Sequence, residues 1–270
     1  MRGFQKCLVA LIMIFGLGIM AYSGYHMFSI TRERNASKSA NQMIADNAVT
    51  YRTPQSASPS AEKDSPAPTQ ASDSPQETDP PQPPETAPLS VDFDYLLGIN
   101  RNVVAWIYCE DTPISYPVVL SADNSDYLYR LIDGTTNSSG SLFMDFRNAG
   151  DLSDSNSIIY GHNMKDGSMF ASVEQYCRQE YYDQHPVMYL MKPSGDYKLE
   201  LIAGKTVRAD DESVYTTDLT VEAARKRMEN SDFQSSVQLQ PEDRFVTLST
   251  CAYSFNSARY VVLGVLRPLA

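Results

Sequence analysis

Two runs of β-forming residues near the C-terminus, 244–251 and 258–266, flank a short polar loop and predict a β-hairpin. Side chains alternate between the two faces of a strand, so residues directly opposite each other in a hairpin share a face. A turn centred in the middle of the loop places Arg259 directly across from Cys251. A thiolate is a nucleophile, and a guanidinium suits a developing oxyanion. The hairpin therefore predicts a reactive cysteine faced by an arginine.

The acid or base that such a cysteine needs has few candidates, because the chain contains only three histidines. His26 lies in an N-terminal apolar run, and His185 precedes a proline in a segment typical of a surface turn. His162 follows the apolar run 158–160 and a glycine. It is therefore expected just beyond the C-terminal end of a strand, a common place for catalytic side chains. By elimination, His162 is the predicted partner of Cys251.

Each of these three residues also has a purely structural interpretation. Cys251 fits a small buried residue at a strand end, His162 a hydrogen-bonded loop residue, and Arg259 the partner of a surface carboxylate. The polar neighbours of the cysteine and the presence of all three residues together favour a site.

The segment 248–251, Leu-Ser-Thr-Cys, followed eight residues later by Arg259, resembles the active-site signature of sortases, the cysteine transpeptidases of Gram-positive surfaces. The segment 160–170, Tyr-Gly-His-Asn-Met-Lys-Asp-Gly-Ser-Met-Phe, is similar to the histidine segment of class B sortases. The resemblance covers roughly residues 90–268. It implies a closed eight-stranded β-barrel, with a helix inserted before the cysteine strand.

The resemblance also implies a reaction, namely acyl transfer through a thioester on Cys251. His162 would move the protons, and Arg259 would hold the oxyanion. Class B sortases typically cut a C-terminal sorting signal similar to Asn-Pro-x-Thr-x after Thr. They pass the acyl group to an amine of the cell-wall peptide precursor, which anchors surface proteins. The implied partners are therefore such surface proteins and the precursor amine.

Five residues are candidates for the groove that binds the peptide. Asn124 and Leu128, four apart on a predicted short helix, match positions that line the groove in class B. Ser249 and Thr250 adjoin the thiol, and Tyr215 is placed to close the groove. An ordinary cap residue and an ordinary strand residue remain the alternatives for Asn124 and Ser249. We expect no metal and no cofactor.

The N-terminal segment predicts a membrane anchor. Residues 7–30 contain no charged side chain, which meets the length of about 20 apolar residues that a membrane helix needs. Residues 1–6 would form a short cytoplasmic head, with the catalytic domain on the outer side of a cell membrane crossed once. A signal peptide cleaved near residues 21–23 is the alternative.

Residues 31–88 predict a disordered linker. Ten of the 16 prolines fall between Pro54 and Pro88, mixed with Ser, Thr, Gln, Ala and Glu. Such a composition buries too little apolar surface to offset the entropy lost on ordering. The catalytic domain is expected to span residues 89–270.

Within residues 89–270, about eight segments have strand-like patterns and few have helical spacing. This count indicates a mostly-β domain closed into a barrel, because closure removes exposed strand edges. The segments 123–130, 169–181 and 218–228 are the main peripheral helices expected. Thr220 is available to cap the last of them.

Charge and cysteine content exclude two further classes of protein. The chain carries 22 Lys and Arg against 33 Asp and Glu, which argues against nucleic acid as a partner. Outside the N-terminal apolar run only three cysteines remain, too few to indicate a disulfide scaffold. Cys109 and Cys177 are predicted to be small buried residues, with a bridge between them as the alternative.

Two rival functions remain open from the sequence. One is a cysteine endopeptidase of the cell wall, which transfers the acyl group to water. The other is a membrane-tethered barrel that binds peptides without reacting with them.

Overall fold

The computed structural model describes residues 2–52, 85–252 and 254–269. The α-helices in these ranges are α1 (Arg2–Ala48), α2 (Phe93–Ile99), α3 (Gln179–Gln184) and α4 (Val221–Glu229). The strands are β1 (Val49–Tyr51), β2 (Leu89–Val91), β3 (Val103–Tyr108), β4 (Ser115–Leu120), β5 (Leu142–Met144), β6 (Asn156–Tyr160), β7 (Val187–Lys192), β8 (Gly195–Arg208), β9 (Phe245–Cys251) and β10 (Ala258–Pro268). Two 3₁₀ helices span Asp126–Tyr129 and Ala171–Cys177.

Strands β3 to β10 close into an eight-stranded barrel, in the spatial order β10, β8, β7, β3, β4, β5, β6, β9. The pairs β4–β5 and β6–β9 are parallel, and the other pairs are antiparallel. The prediction of a mostly-β closed barrel with few helices is confirmed. Closure gives every barrel strand a hydrogen-bonded neighbour on each side.

The barrel interior is filled by side chains that alternate along the strands. Ile107, Val118, Leu142, Leu248 and Val262 are fully buried there and belong to one apolar cluster. Each buried side chain of this size contributes about 1.5–3 kcal/mol relative to an exposed one. The filled interior makes the barrel a rigid support for residues at the strand ends.

The N-terminal segment packs on the outside of the barrel. Ile44 and Ala48 of α1 join a second apolar cluster with Leu89, Leu96 and Trp106. Strand β1 pairs antiparallel with β2, which brings the end of α1 back beside the start of the barrel domain.

These contacts correct part of the predicted linker. Residues 31–48 continue α1 and residues 49–51 form a strand, so the expected disordered segment does not begin at residue 31. Burial of the C-terminal end of α1 against the barrel domain offsets part of the ordering cost that composition alone suggests is too high. The remainder of the predicted linker, 53–84, lies outside the described residues.

The predicted helix at 218–228 is confirmed as α4. Thr220 caps it by accepting a hydrogen bond from the backbone N–H of Ala223 at 3.2 Å. Its buried Ala224 belongs to an apolar cluster that also contains Leu263 of β10. The helix lies between β8 and β9, the place that the resemblance implied.

The two cysteines outside the predicted site are both free thiols, which excludes the bridge between them. Cys109 is buried as predicted, whereas the prediction for Cys177 is wrong because its side chain is exposed. Residues 171–177 form a 3₁₀ helix with three residues per turn, so Val173 and Tyr176 share the buried face.

Helix α1 contains a stretch, Leu11–Ala48, that is long and apolar enough to cross a membrane. None of its most apolar 18-residue window is buried against the rest of the chain. Large side chains such as Phe15 and Phe28 are therefore exposed.

Candidate active site

Three neighbouring strands bring Cys251, His162 and Arg259 to one edge of the barrel. The parallel pair β6–β9 aligns Tyr160 with Ser249, so the chain continues by two residues on each side to His162 and Cys251. Strand β10 returns antiparallel to β9 and places Arg259 directly opposite Cys251. The parallel register and the hairpin register together fix this constellation.

The three side chains line one open cleft with a volume of about 450 Å³. Its walls comprise Asn124, Leu128, Tyr129, Phe143, Tyr160, Gly161, His162, Ala209, Tyr215, Ser249, Thr250, Cys251 and Arg259. All eight site residues expected from the sequence therefore border the same cleft.

Cys251 is half-buried at the end of β9. Its carbonyl oxygen accepts a hydrogen bond from the side-chain amide of Asn163 at 2.7 Å. The preceding Thr250 donates its hydroxyl to the carbonyl of Gly161 at 2.9 Å. Two hydrogen bonds thus join the end of the cysteine strand to the histidine loop.

Gly161 permits this close approach. A Cβ atom at this position would lie 2.4 Å from Leu142 Cδ2 and 2.6 Å from Phe170 Cδ2, well inside van der Waals contact. The missing side chain therefore lets β6 end beside β9 without a clash, directly before His162.

The His162 ring is oriented by a backbone carbonyl. Its Nε2 atom lies 2.7 Å from the carbonyl oxygen of Leu128, and its ring centroid lies 5.9 Å from that of Tyr129. A carbonyl oxygen can only accept, so Nε2 carries a proton in this bond.

The loop that carries His162 is held at its far end. Phe170 donates its backbone N–H to the carbonyl of His162 at 3.0 Å, and Asn163 forms a β-bridge with Met169. Asp166 at the tip pairs with Lys38 of α1 at 3.2 Å. The loop is therefore a closed, internally bonded unit that touches the N-terminal helix.

The Arg259 guanidinium stays available to a reacting group. Its Nη1 donates to the carbonyl of Ala258 at 3.0 Å, and no carboxylate lies within ion-pair distance of it in the described part of the chain. Within the described residues its other N–H groups have no hydrogen-bond partner, and a planar fork of donors of this kind suits an oxyanion.

The five candidate groove residues have different surroundings. Asn124 precedes the 3₁₀ helix rather than lying on it, and Leu128 lies within that helix. The amide of Asn124 is already engaged, because it donates to Asp145 at 3.1 Å and accepts from the backbone of Phe146 at 2.9 Å.

Ser249 and Thr250 are almost completely buried. The hydroxyls of Ser249 and Tyr215 share a hydrogen bond of 3.0 Å, so the serine orients the tyrosine. Burial raises the pKa of Tyr215, while the bond to Ser249 and the nearby Arg259 charge oppose that rise. Leu128 and Tyr215 offer more surface to the cleft than Ser249 and Thr250 do.

Sequence reasoning missed a buried carboxylate behind the cleft. Asp145 is fully buried and accepts hydrogen bonds from the Arg147 side chain at 2.8 Å and from the Tyr160 hydroxyl at 2.8 Å. Burial alone would raise the pKa of Asp145, but the bonds from Arg147 and Tyr160 lower it to about 2. Burial and this bond together raise the pKa of Tyr160. The only sequence signal was an Asp and an Arg two residues apart after β5.

An eight-stranded barrel whose adjacent strands end in a cysteine, a histidine and an arginine defines a cysteine transpeptidase of the sortase type. A family model described as Sortase domain matches residues 107–267. Sortase B of Listeria monocytogenes serovar 1/2a is 35% identical over 178 residues, which cover 63% of this chain and 72% of that protein. The chain therefore belongs to the sortase family, and within it to class B. Sortases are transpeptidases that anchor proteins to the cell wall.

Solved structures agree with this assignment. The crystal structure of Staphylococcus aureus sortase B has a TM-score of 0.62 and 31% identity, covering 66% of this chain and 87% of that chain. Clostridium perfringens sortase B has a TM-score of 0.62 and 30% identity, covering 65% of this chain and 100% of that chain.

Proposed function

We propose that this chain is a membrane-anchored transpeptidase that cuts an Asn-Pro-x-Thr-x-like sorting signal after Thr and joins the new carboxyl end to an amine of the peptidoglycan precursor. The observation that carries the proposal is the position of Arg259 opposite Cys251, with His162 at the end of the adjacent parallel strand. This arrangement supplies a nucleophile, an oxyanion ligand and a proton carrier at one edge.

The first half of the reaction forms the thioester. The thiol of Cys251 passes its proton to His162 as the sulfur attacks the carbonyl carbon of the substrate Thr, and Arg259 stabilises the oxyanion of the tetrahedral intermediate. The C–N bond then breaks as His162 gives a proton to the departing amine.

The second half transfers the acyl group. The incoming amine attacks the thioester carbon, and its proton passes to His162 as the C–S bond breaks. The thiolate of Cys251 is regenerated, and a new amide bond replaces the one that was cut.

The substrate classes rest on relatives. One solved relative is a Staphylococcus aureus sortase B–substrate complex, and another is sortase B complexed with Gly3. We carry a peptide donor and an amine acceptor over to this chain, with Leu128 and Tyr215 as walls that contact the peptide. Asn124, Ser249 and Thr250 then act mainly by holding these walls.

The membrane location rests on α1. Its exposed apolar window favours a helix surrounded by lipid over a core helix. We propose residues 7–30 as an uncleaved signal-anchor, with the barrel outside the cytoplasm. A cleaved form, detected by N-terminal sequencing of the chain isolated from membranes, would overturn the proposal of an uncleaved anchor.

The function is tested by intact mass spectrometry on the full chain in detergent micelles. The chain is mixed with a panel of Asn-Pro-x-Thr-x peptides, with and without triglycine or a diamino acid. We expect a covalent adduct on the wild type and on Cys177→Ala, which controls for the exposed thiol, but not on Cys251→Ala. The adduct should resolve into a peptide–amine product.

Two outcomes would support the rival functions. An adduct that resolves only to free acid, whatever amine is present, indicates an endopeptidase. Measurable peptide binding with no adduct indicates a non-catalytic binding module.

A further inference from the structure

The segment between β8 and α4 forms one wall of the cleft and is held by an unusual number of directed bonds. Five successive carbonyl oxygens, those of residues 213–217, each accept a hydrogen bond from a side chain or backbone group outside the segment. The donors are the side chains of Arg227, Arg147, Asn156 and Ser155 and the backbone N–H of Asn156. The segment is thus a fixed wall rather than a loop that closes on substrate, because each bonded carbonyl restricts its own peptide unit.

The bond at the centre of this wall comes from Arg147. Its Nη2 donates to the carbonyl of Tyr215 at 2.9 Å and to Asp145 Oδ2 at 2.8 Å. Its Nε donates to Asp145 Oδ1 at 2.8 Å. The planar guanidinium is therefore oriented by the buried carboxylate, and the tyrosine backbone is oriented by the guanidinium.

The same carboxylate also fixes the two neighbouring walls. It accepts from the Tyr160 hydroxyl at 2.8 Å, and the Tyr160 ring stacks on the Tyr215 ring with centroids 6.0 Å apart. It accepts from the Asn124 amide at 3.1 Å, just before the 3₁₀ helix whose Leu128 carbonyl orients His162. One fully buried side chain thus connects three parts of the cleft that are distant in sequence.

We infer that Asp145 is a positioning residue for the peptide donor, acting through Arg147 and Tyr160 to set the position of the Tyr215 wall relative to Cys251. This inference rests on the proposed function, since it concerns the same cleft. Asp145 does not line the cleft, so its effect must pass through residues that do. A displacement of about 1 Å in a binding wall is enough to lower a rate about 100-fold.

The test uses the full chain in micelles and two variants. Asp145→Asn replaces an acceptor-only group with one that presents an N–H₂ toward the Arg147 and Tyr160 donors. Arg147→Lys keeps the positive charge but cannot bind Asp145 and the Tyr215 carbonyl through a planar fork. The Arg147 side chain is 44% exposed, so this variant guards against loss of the fold.

The expected result is a fall of about 10- to 100-fold in kcat/KM for thioester formation with peptide. This fall should come mainly from a rise in KM. The rate at which iodoacetamide alkylates Cys251 should stay unchanged, because a small reagent does not need the wall. The double variant should lose little more than either single variant, as expected for residues that act as one unit. Arg208→Gln, which breaks the exposed Arg208–Asp210 pair next to the same segment, is the matched control and should behave as wild type.

Three outcomes would overturn the inference. The first is unchanged kcat/KM in both folded variants, and the second is an equal loss of iodoacetamide reactivity, which would place the effect on the thiol itself. The third is a double variant whose loss of transition-state free energy equals the sum of the losses in the two single variants. If no peptide acylates the wild-type chain, the proposed function fails and takes this inference with it, whereas an acylated wild type with unaffected variants removes only the role of Asp145.

Discussion

Arg259 lies directly across the β9–β10 pair from Cys251, in a register that continues unbroken from Tyr260–Thr250 to Leu263–Thr247. Cβ atoms of directly opposite residues in an antiparallel pair are about 4.5–5.5 Å apart, so the two side chains project from the same face of the pair. Because both residues lie in paired strands, the position of the guanidinium relative to the thiol does not depend on loop motion.

The first prediction concerns the shape of that cation. Arg259→Lys keeps the charge but replaces a planar donor fork with a single ammonium, so the oxyanion loses directed hydrogen bonds. We expect kcat for peptide cleavage to fall about 10²- to 10³-fold, with KM changed much less. Steady-state cleavage followed by chromatography measures both. A variant with near wild-type kcat would show that the guanidinium does not hold the oxyanion.

The second prediction concerns His162. Glutamine at this position can still donate a side-chain N–H to the Leu128 carbonyl, so the cleft should keep its shape. It cannot carry a titrating proton, and we expect acylation by peptide to slow about 10²- to 10⁴-fold. Stopped-flow acylation gives the rate, and circular dichroism checks the fold. His185→Gln, outside the cleft, is the control, and equal losses in both variants would contradict a role in proton transfer.

The sequence predicted the Cys251–Arg259 relation because hairpin register is a local property set by one short loop. His162 was predicted as the partner of Cys251 by elimination, and the barrel was predicted from the number of strands as well as from the family resemblance. Their physical basis, the parallel β6–β9 pair, joins segments almost ninety residues apart, and no local pattern specifies such a pairing.

The Asp145 network and the fold of the N-terminal segment were not predictable in this way. The partners of Asp145 come from residues 124, 147 and 160, and each bond depends on where separate loops pack. Likewise β1 pairs with β2 across a proline-rich segment, and Ile44 and Ala48 near the end of α1 are buried against the barrel domain.

The third prediction uses Gly161. Gly161→Ala would force its Cβ into Leu142 and Phe170, so we expect a loss of about 1–3 kcal/mol in the free energy of unfolding. The clash lies directly before His162, and kcat should fall as well. Gly98→Ala is the matched control, since nothing lies within 4 Å of a Cβ there and its position in α2 favours alanine. Denaturant unfolding measures the stability of both variants. Equal stabilities would show that Gly161 is not needed for close packing against Leu142 and Phe170.

The fourth prediction concerns acid stability. The pKa of Asp145 is lowered from 3.8 to about 2, so the folded state gains stability from its ionised form above about pH 4. That contribution, about 2 kcal/mol, is lost as the pH falls from about 4 to 2. Asp145→Asn should therefore show a flatter fall in unfolding free energy between pH 4 and pH 2 than wild type.

Urea unfolding of residues 31–270 at several pH values measures the slope of unfolding free energy against pH. Asp133→Asn, which changes an exposed carboxylate in a turn, is the control and should retain the wild-type slope. Parallel slopes for wild type and Asp145→Asn would show that the buried carboxylate does not cause the acid sensitivity.

The fifth prediction treats the end of α1 as part of the barrel domain. Ile44 is 6% exposed within the cluster around Trp106, whereas its neighbour Met43 is 63% exposed. Ile44→Ala should cost about 2 kcal/mol or more of unfolding free energy because it leaves a cavity, and Met43→Ala should cost little. Both variants are compared in residues 31–270 by denaturant unfolding. If α1 were only a tether for the membrane, the two substitutions would have the same small effect, since neither side chain would contribute to the folded barrel.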